Sequence, residues 1–234
     1  MKKKINLIGI GTDGNKSLTQ EAREQIRKST VLIGAERMLE SVEPVRKKEA
    51  RCYTSYRPEE IMTILDQEKG EEISVLYSGD PGFYSGAKQL IKRLEGSEWE
   101  IRVLPGISSV ICMAARCQVP WEKAALVSLH GTGQNAVYEI CTHEHTFLLL
   151  GGKETAEQFL EKMSWYGLDH LEAAAGRDLS YEEEVFFRGT IRELTPELLS
   201  GLSVLWVHNP DYDTFVGRHL EDEELIRGKV PMTK

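Results

Sequence analysis

The chain has 234 residues, which suits one large domain or two small ones. With 41% apolar and 28% charged residues it has the composition of an ordinary globular protein with a sizeable core. Its 29 Lys and Arg against 37 Asp and Glu leave a net charge of −8, which argues against a general nucleic-acid binder and still allows a local basic pocket for an anionic small molecule.

Four cysteines, Cys52, Cys112, Cys117 and Cys141, form no C-x-x-C pair. They read as reduced thiols of a cytoplasmic protein rather than a disulfide framework. No apolar run approaches membrane-spanning length.

Residues 4–11 read as a buried first strand. Gly9-Ile-Gly-Thr-Asp-Gly14 matches the G-x-G-x-x-G pattern of dinucleotide folds. There, however, the helix opens within the glycines so that its amino end meets the pyrophosphate. Here Asn15-Lys-Ser-Leu18 intervenes and Thr19 is the natural N-cap, so the glycines read as a flexible loop at a strand end. Val31–Ile33 is a short second strand, followed by a short helix over Ala35–Leu39. Ser41–Tyr56, polar and basic, is either a solvated connection or the basic side of a site for acids. Pro58–Gln67 reads as a helix with Ile61, Ile64 and Leu65 inward.

Residues 73–86 are the centre of the pattern. Ile73–Tyr77 is a buried strand that breaks at Ser78-Gly-Asp-Pro-Gly82. Pro81 fixes its own φ and pushes Asp80 towards extended geometry. Tyr84, Ala87, Leu90, Ile91 and Leu94 then mark a helix with one apolar face. This places the Asp80 carboxylate at the carboxyl end of a sheet strand, where open α/β sheets bind ligands; the alternative is a connecting turn with Asp80 capping the helix. Glu100–Leu104 is a strand ending at Pro105-Gly-Ile-Ser-Ser109, where Ser108 or Ser109 caps the next helix or offers hydroxyl and N–H groups to a ligand.

A boundary falls around Pro120-Trp121, dividing the chain into residues 1–118 and 119–234. In the second part Ala125–Leu129 and Thr146–Leu150 are strands. Ala156, Phe159, Leu160 and Met163 give a helix closed by Gly167. Leu171–Ala175 is a weak strand. Residues 184–191 read as an antiparallel strand pair bent at Gly189, Thr195-Pro196 as a helix start, and Ser203–His208 as the last strand. Two α/β halves result, with several strands ending in glycine or small residues at the cleft between them.

Gly9-Ile-Gly with Leu18-Thr19, the run Ser78–Gly86, Pro105-Gly-Ile-Ser-Ser109, Ser128-Leu-His-Gly131 and the tail Ile226–Lys234 together resemble the tetrapyrrole (corrin/porphyrin) methylases, over nearly the whole chain. The resemblance is closest to members that methylate C-5 of a cobalt-corrinoid, cobalt-precorrin-7, in cobalamin biosynthesis. One departure is Thr132, where the family usually has Arg. The resemblance implies a two-domain α/β fold with S-adenosylmethionine in the inter-domain cleft. By motif, Gly79, Asp80, Ser108 and Ser109 border the cofactor. By strand order, Leu150, Gly151, Ala175, Gly176, Val207 and His208 surround its adenine and ribose. Gly11, Tyr84 and Arg177 are implied on the substrate side. A homodimer is implied, with a separate protein carrying out C-15 methylation and decarboxylation.

Such a reaction moves a methyl from a sulfonium to an electron-rich carbon, and alignment is the protein's main contribution. Sulfur loses its positive charge, so Asp80 is expected to bind the amino group or orient the turn rather than sit on the sulfur. His130 is the candidate general base, or a structural residue at a strand end. Tyr84 hydrogen-bonds the macrocycle or packs in the core. Arg177 and Arg188 hold ring carboxylates or are solvated. His143 and His145 lack partners at ligand spacing, so no protein metal site is expected; cobalt would arrive in the substrate. The competing readings are a sister enzyme acting on another tetrapyrrole carbon or an RNA ribose, a nicotinamide-dependent oxidoreductase, and a cofactor-sensing module.

Overall fold

The computed structural model describes residues 3–68, 72–129 and 134–213. The first five strands are β1 (Lys3–Gly9), β2 (Val31–Gly34), β3 (Arg51–Thr54), β4 (Glu72–Tyr77) and β5 (Trp99–Leu104). They form one sheet in the order β3-β2-β4-β1-β5, parallel throughout. The inner strands are covered on both faces, which is why they read as apolar runs without alternation. Ile5 and Leu7 face one core, with Ile61 and Leu65 of α3 (Pro58–Gln67) and Leu90 and Leu94 of α4 (Ala87–Leu94). Ile8 and Ile10 face the other, against Ala22 and Ile26 of α1 (Gln20–Lys28) and Leu39 of α2 (Glu36–Ser41). The Thr19 hydroxyl accepts the Ala22 N–H at 3.2 Å, so α1 opens well beyond the glycines and not within them.

The second sheet holds β6 (Ala125–Ser128), β7 (His145–Leu149), β8 (Glu172–Arg177), β9 (Val185–Thr190) and β10 (Ser203–His208), in the order β6-β7-β10-β8-β9. Only β6 and β7 pair in parallel; β10 runs antiparallel to both β7 and β8, and β9 antiparallel to β8. One face packs on α6 (Ala136–Thr142) and α7 (Lys153–Trp165). The other is covered by α5 (Ser109–Cys117), whose Val110, Met113, Ala114 and Cys117 form an i, i+3, i+4, i+7 stripe against Phe147, Ala174, Val204 and Trp206. Burial pushes the Cys117 thiol up to about 11, which keeps it protonated and inert. Thus α5 precedes the expected boundary at 118/119 yet packs on the second sheet, joining the two halves.

Three local expectations are corrected, and one helix is added. The stretch 41–56 contains the edge strand β3, held by pairing with β2 rather than by an apolar pattern. Residues 184–191 hold one strand rather than a pair: β9, Val185–Thr190, pairs with β8 and is followed by a 3₁₀ turn at Ile191–Glu193. Thr195-Pro196 starts only a turn: Leu199 N–H reaches Thr195 O at 3.2 Å, and Gly201, at φ +70°, ends it before β10. Helix α6 was not anticipated. Among the described residues no helix is long and apolar enough to cross a membrane.

Candidate functional site

Because β1, β4 and β5 are parallel neighbours, their carboxyl ends lie side by side, and their loops touch backbone to backbone. A Cβ at Gly106 would lie 2.1 Å from Gly79 O, and one at Gly9 would lie 2.6 Å from both Gly106 N and Gly79 O. Gly11 and Gly79 exchange backbone hydrogen bonds at 3.2 and 2.8 Å with φ of +72° and +66°, a conformation that glycine adopts without strain. Gly9, Gly11 and Gly106 are therefore packed shut and let three loops meet, whereas Gly79, where a Cβ would meet nothing nearer than 3.4 Å, faces the cleft.

Asp80 locks the junction. Its Oδ1 accepts the Gly82 N–H at 2.7 Å and its Oδ2 accepts the Gly106 N–H at 3.0 Å, so the carboxylate ties the Pro81 turn to the β5–α5 loop. Asp13 does the same within the β1–α1 loop, accepting the N–H groups of Asn15, Lys16 and Ser17 and the Ser17 hydroxyl. Burial opposes its ionisation, but those hydrogen bonds outweigh it and hold the carboxyl below its ordinary value.

These loops floor a cleft of about 690 Å³ between the two sheets. Gly79, Asp80, Tyr84, Ser108, Ser109, Leu150 and Gly151, all named above, line it. Ser108 caps α5, its hydroxyl accepting the Ile111 N–H at 3.4 Å. Tyr84, at φ +44°, reaches across to donate its hydroxyl to Leu126 O at 3.0 Å, and also contacts Gln134 Oε1 at 3.1 Å.

The other expected residues lie elsewhere. The space beside Gly11 is filled by Ser17, and its neighbour Thr12 lines the cleft instead. Ala175 and Val207 are buried in the core against α6 and α7, and Gly176 is packed under Leu179. His208 stands at the far end of β10, 3.3 Å from Glu172. The reason is strand direction. β10 is antiparallel to β7, so its amino end, Gly201-Leu202-Ser203, reaches the cleft. Arg177 donates to Glu197 O at 2.9 Å, while its neighbour Asp178 lines the cleft. Arg188 pairs with Glu172 at 2.8 Å, away from the cleft. His130 and Thr132 lie outside the described residues, as does the tail.

Sequence reasoning missed the segment 178–184. Its acidic run Asp178-Leu-Ser-Tyr-Glu-Glu-Glu184 carries no motif, yet Asp178, Leu179 and Tyr181 line the cleft and the segment straps the halves together. Ser180 bonds to Thr12 at 2.7 Å, the Tyr181 hydroxyl meets Arg37, and Glu184 pairs with Arg116. The single aromatic inside that acidic run was the available signal.

S-adenosylmethionine needs an apolar slot for its base, polar groups for its ribose, and partners for a charged tail. The cleft offers Leu149, Leu150, Leu179 and Leu202, several serine hydroxyls, and open backbone at Gly152 and Gly201, where a Cβ would meet nothing within 4 Å. Those residues fit the cofactor. Among the described residues no three His, Cys, Asp or Glu side chains converge as a metal ion would require.

The family model of the tetrapyrrole (corrin/porphyrin) methylases matches residues 4–195. A precorrin-6Y C(5,15)-methyltransferase [decarboxylating] of Sinorhizobium sp is 35% identical over 127 residues, 54% of this chain and 30% of that protein; the chain thus spans under a third of that relative. A probable cobalt-precorrin-7 C(5)-methyltransferase of Methanocaldococcus jannaschii is 27% identical over 161 residues, 67% of this chain and 75% of that protein. The crystal structure of a precorrin-6Y methylase from Archaeoglobus fulgidus superposes with a TM-score of 0.68 at 25% identity, covering 88% of this chain and 97% of that one.

Proposed function

The chain belongs to the tetrapyrrole (corrin/porphyrin) methylases and is a methyltransferase, and from that premise we propose that it methylates C-5 of cobalt-precorrin-7 in cobalamin biosynthesis, with S-adenosylmethionine as donor. The observation that carries the reading is the cleft between the sheets, floored by the Asp80-locked turn and walled by open backbone at Gly152 and Gly201. The likeness to the methanogen C(5)-methyltransferase supports the choice of carbon.

When bound, S-adenosylmethionine supplies an electrophilic methyl on a sulfonium. The rest falls to this chain's residues. Gly79, Asp80, Ser108, Ser109, Leu150 and Gly151 hold the cofactor and fix its direction. Asp80 acts through the turn, since both its oxygens already accept N–H groups. Tyr84 spans the halves and sets the cleft width on the substrate side. His130 takes the proton lost from the ring. Alignment of this kind supplies several kcal/mol, up to about 7–11 in favourable cases. The working form in this proposal is a cytoplasmic homodimer of two-domain protomers divided at 118/119, with C-15 methylation and decarboxylation carried out by a separate protein.

The test is incubation with methyl-labelled S-adenosylmethionine and cobalt-precorrin-7, followed by mass and NMR analysis of the product. One added methyl at C-5 with every carboxyl retained is the expected result. A methyl at another carbon, or loss of a carboxyl, overturns the substrate assignment. S-adenosylhomocysteine should also raise the melting temperature where NADH does not, since only a ligand of the folded state stabilises it.

A further inference from the structure

Lys88 is the only cationic side chain on the cleft wall among the described residues. It is exposed and makes no ion pair or hydrogen bond with any described residue. It sits in the first turn of α4, where the helix dipole disfavours a cation, and that turn carries no acid to offset it. Lys153, in the first turn of α7, shows the contrast: it is paired with Glu197 at 2.8 Å. The acids lining the cleft do not answer Lys88 either. Asp80 spends both oxygens on backbone N–H groups, and Asp178 lies 3.6 Å from Arg177.

We infer that Lys88 recognises a peripheral carboxylate of the tetrapyrrole substrate and so helps to set which macrocycle the cleft accepts. The inference rests on the substrate class proposed above. Two ligands of this cleft carry carboxylates, the cofactor's methionine tail and the macrocycle's acetate and propionate arms. Bound small ligands bury most of their surface, whereas Lys88 is exposed, so its partner is an acid at the solvent edge. The rim arms of a macrocycle meet that description. A lysine ammonium is a flexible point charge, and an arginine can replace it for a simple carboxylate contact.

The experiment titrates cobalt-precorrin-7 and, separately, S-adenosylhomocysteine into the wild type, Lys88→Gln and Lys88→Arg. Lys88 is exposed, so its variants should keep the wild-type melting temperature. The expected result is macrocycle binding weakened threefold or more, about tenfold at low salt, in Lys88→Gln, restored in Lys88→Arg, with cofactor-product affinity unchanged in both. Macrocycle binding within threefold of wild type in Lys88→Gln overturns the inference, and so does a loss that falls on S-adenosylhomocysteine instead. If the wild type itself binds neither ligand, the proposed function fails first, a distinct outcome.

Discussion

The hydroxyls of Thr12 and Ser180 lie 2.7 Å apart although 168 residues separate them in the chain. One stands on the loop after β1 and the other on the loop after β8, so this hydrogen bond helps to join the two halves at the edge of the cleft. Ser180 holds its position at φ +74° and Asp178 at +50°, a conformation that L residues adopt only when their surroundings impose it. Thr12→Ala and Ser180→Ala should each cost about 0.5–1.5 kcal/mol. Because they remove the same bond, the double variant should cost clearly less than the sum. A denaturation double-mutant cycle measures this, and additive costs would mean that the bond contributes nothing.

The same strap carries a pH dependence. The Arg116 guanidinium beside Glu184 holds its carboxyl below the ordinary value; burial works against this, and the Ser180 N–H adds to it. A depressed carboxylate contributes stability above its unfolded pKa and loses it as the pH falls through the folded one. Glu184→Gln should therefore be less stable than wild type at pH 7, and the gap should close below about pH 4. The pair is partly exposed, so the effect is modest, about 0.5–1 kcal/mol, or about 1–4 °C in melting temperature. Thermal melts from pH 7 to pH 3 check it; a gap that widens on acidification contradicts the assignment.

The glycines of the first half divide into two kinds, and alanine should separate them. At Gly106 a Cβ would lie 2.1 Å from Gly79 O and 2.7 Å from Gly9 O; both neighbours are backbone and cannot move aside. Gly106→Ala should cost more than about 3 kcal/mol or prevent folding. Gly96, at φ +74°, has nothing within 4 Å of a Cβ, so Gly96→Ala should cost only the backbone strain, about 1 kcal/mol. Comparable losses at the two sites would refute the packing account.

This division also marks how far the sequence alone could be read. The alternation of strands and helices in the first half was legible because each element carries its own signal: the Thr19 cap, Pro58 at a helix start, the apolar run into the Asp80 turn. The edge strand β3 was not, since Arg51-Cys-Tyr-Thr54 has no apolar pattern and exists through its pairing with β2. In the second half, β8 and β10 were found but not their directions. Antiparallel pairing of β10 exchanged Val207-His208 for Gly201–Ser203 at the cleft. Strand direction is a property of the sheet and leaves no local mark. The acidic strap was missed for a related reason: its partners, Thr12, Arg37 and Arg116, are distant in the chain and leave no periodic trace.

Asp80 separates two kinds of role. Its oxygens accept from Gly82 and Gly106, and an asparagine amide can supply only one acceptor. Asp80→Asn should destabilise the protein by about 1–3 kcal/mol, because a backbone N–H at the loop junction loses its partner. The turn it holds lines the cleft, so affinity for S-adenosylhomocysteine should fall with it. Calorimetry and a melt on the same sample decide the matter. Intact affinity with lost turnover would place Asp80 at the reacting centre rather than behind the turn.

Two tyrosines, Tyr77 buried and Tyr53 half-buried, should respond in opposite ways to loss of the hydroxyl. Tyr77 is 8% exposed and belongs to the core between the first sheet and α3 and α4. Among the described residues its hydroxyl finds no partner, and burial raises its pKa far above the ordinary phenol value. Folding thus strips water from this group and returns nothing. Tyr77→Phe keeps the ring and removes the unpaired group, so it should leave stability unchanged or raise it by about 0.5–2 kcal/mol. Tyr53 donates its hydroxyl to Glu68, a carboxylate that is itself buried and paired with Arg51 at 2.7 Å. Tyr53→Phe takes a donor from a buried charge and should cost about 1–3 kcal/mol. Denaturant midpoints at constant m-value measure both. A large loss from Tyr77→Phe would reveal a partner for that hydroxyl, the natural place being the smaller chamber that Tyr77 lines beside the cleft.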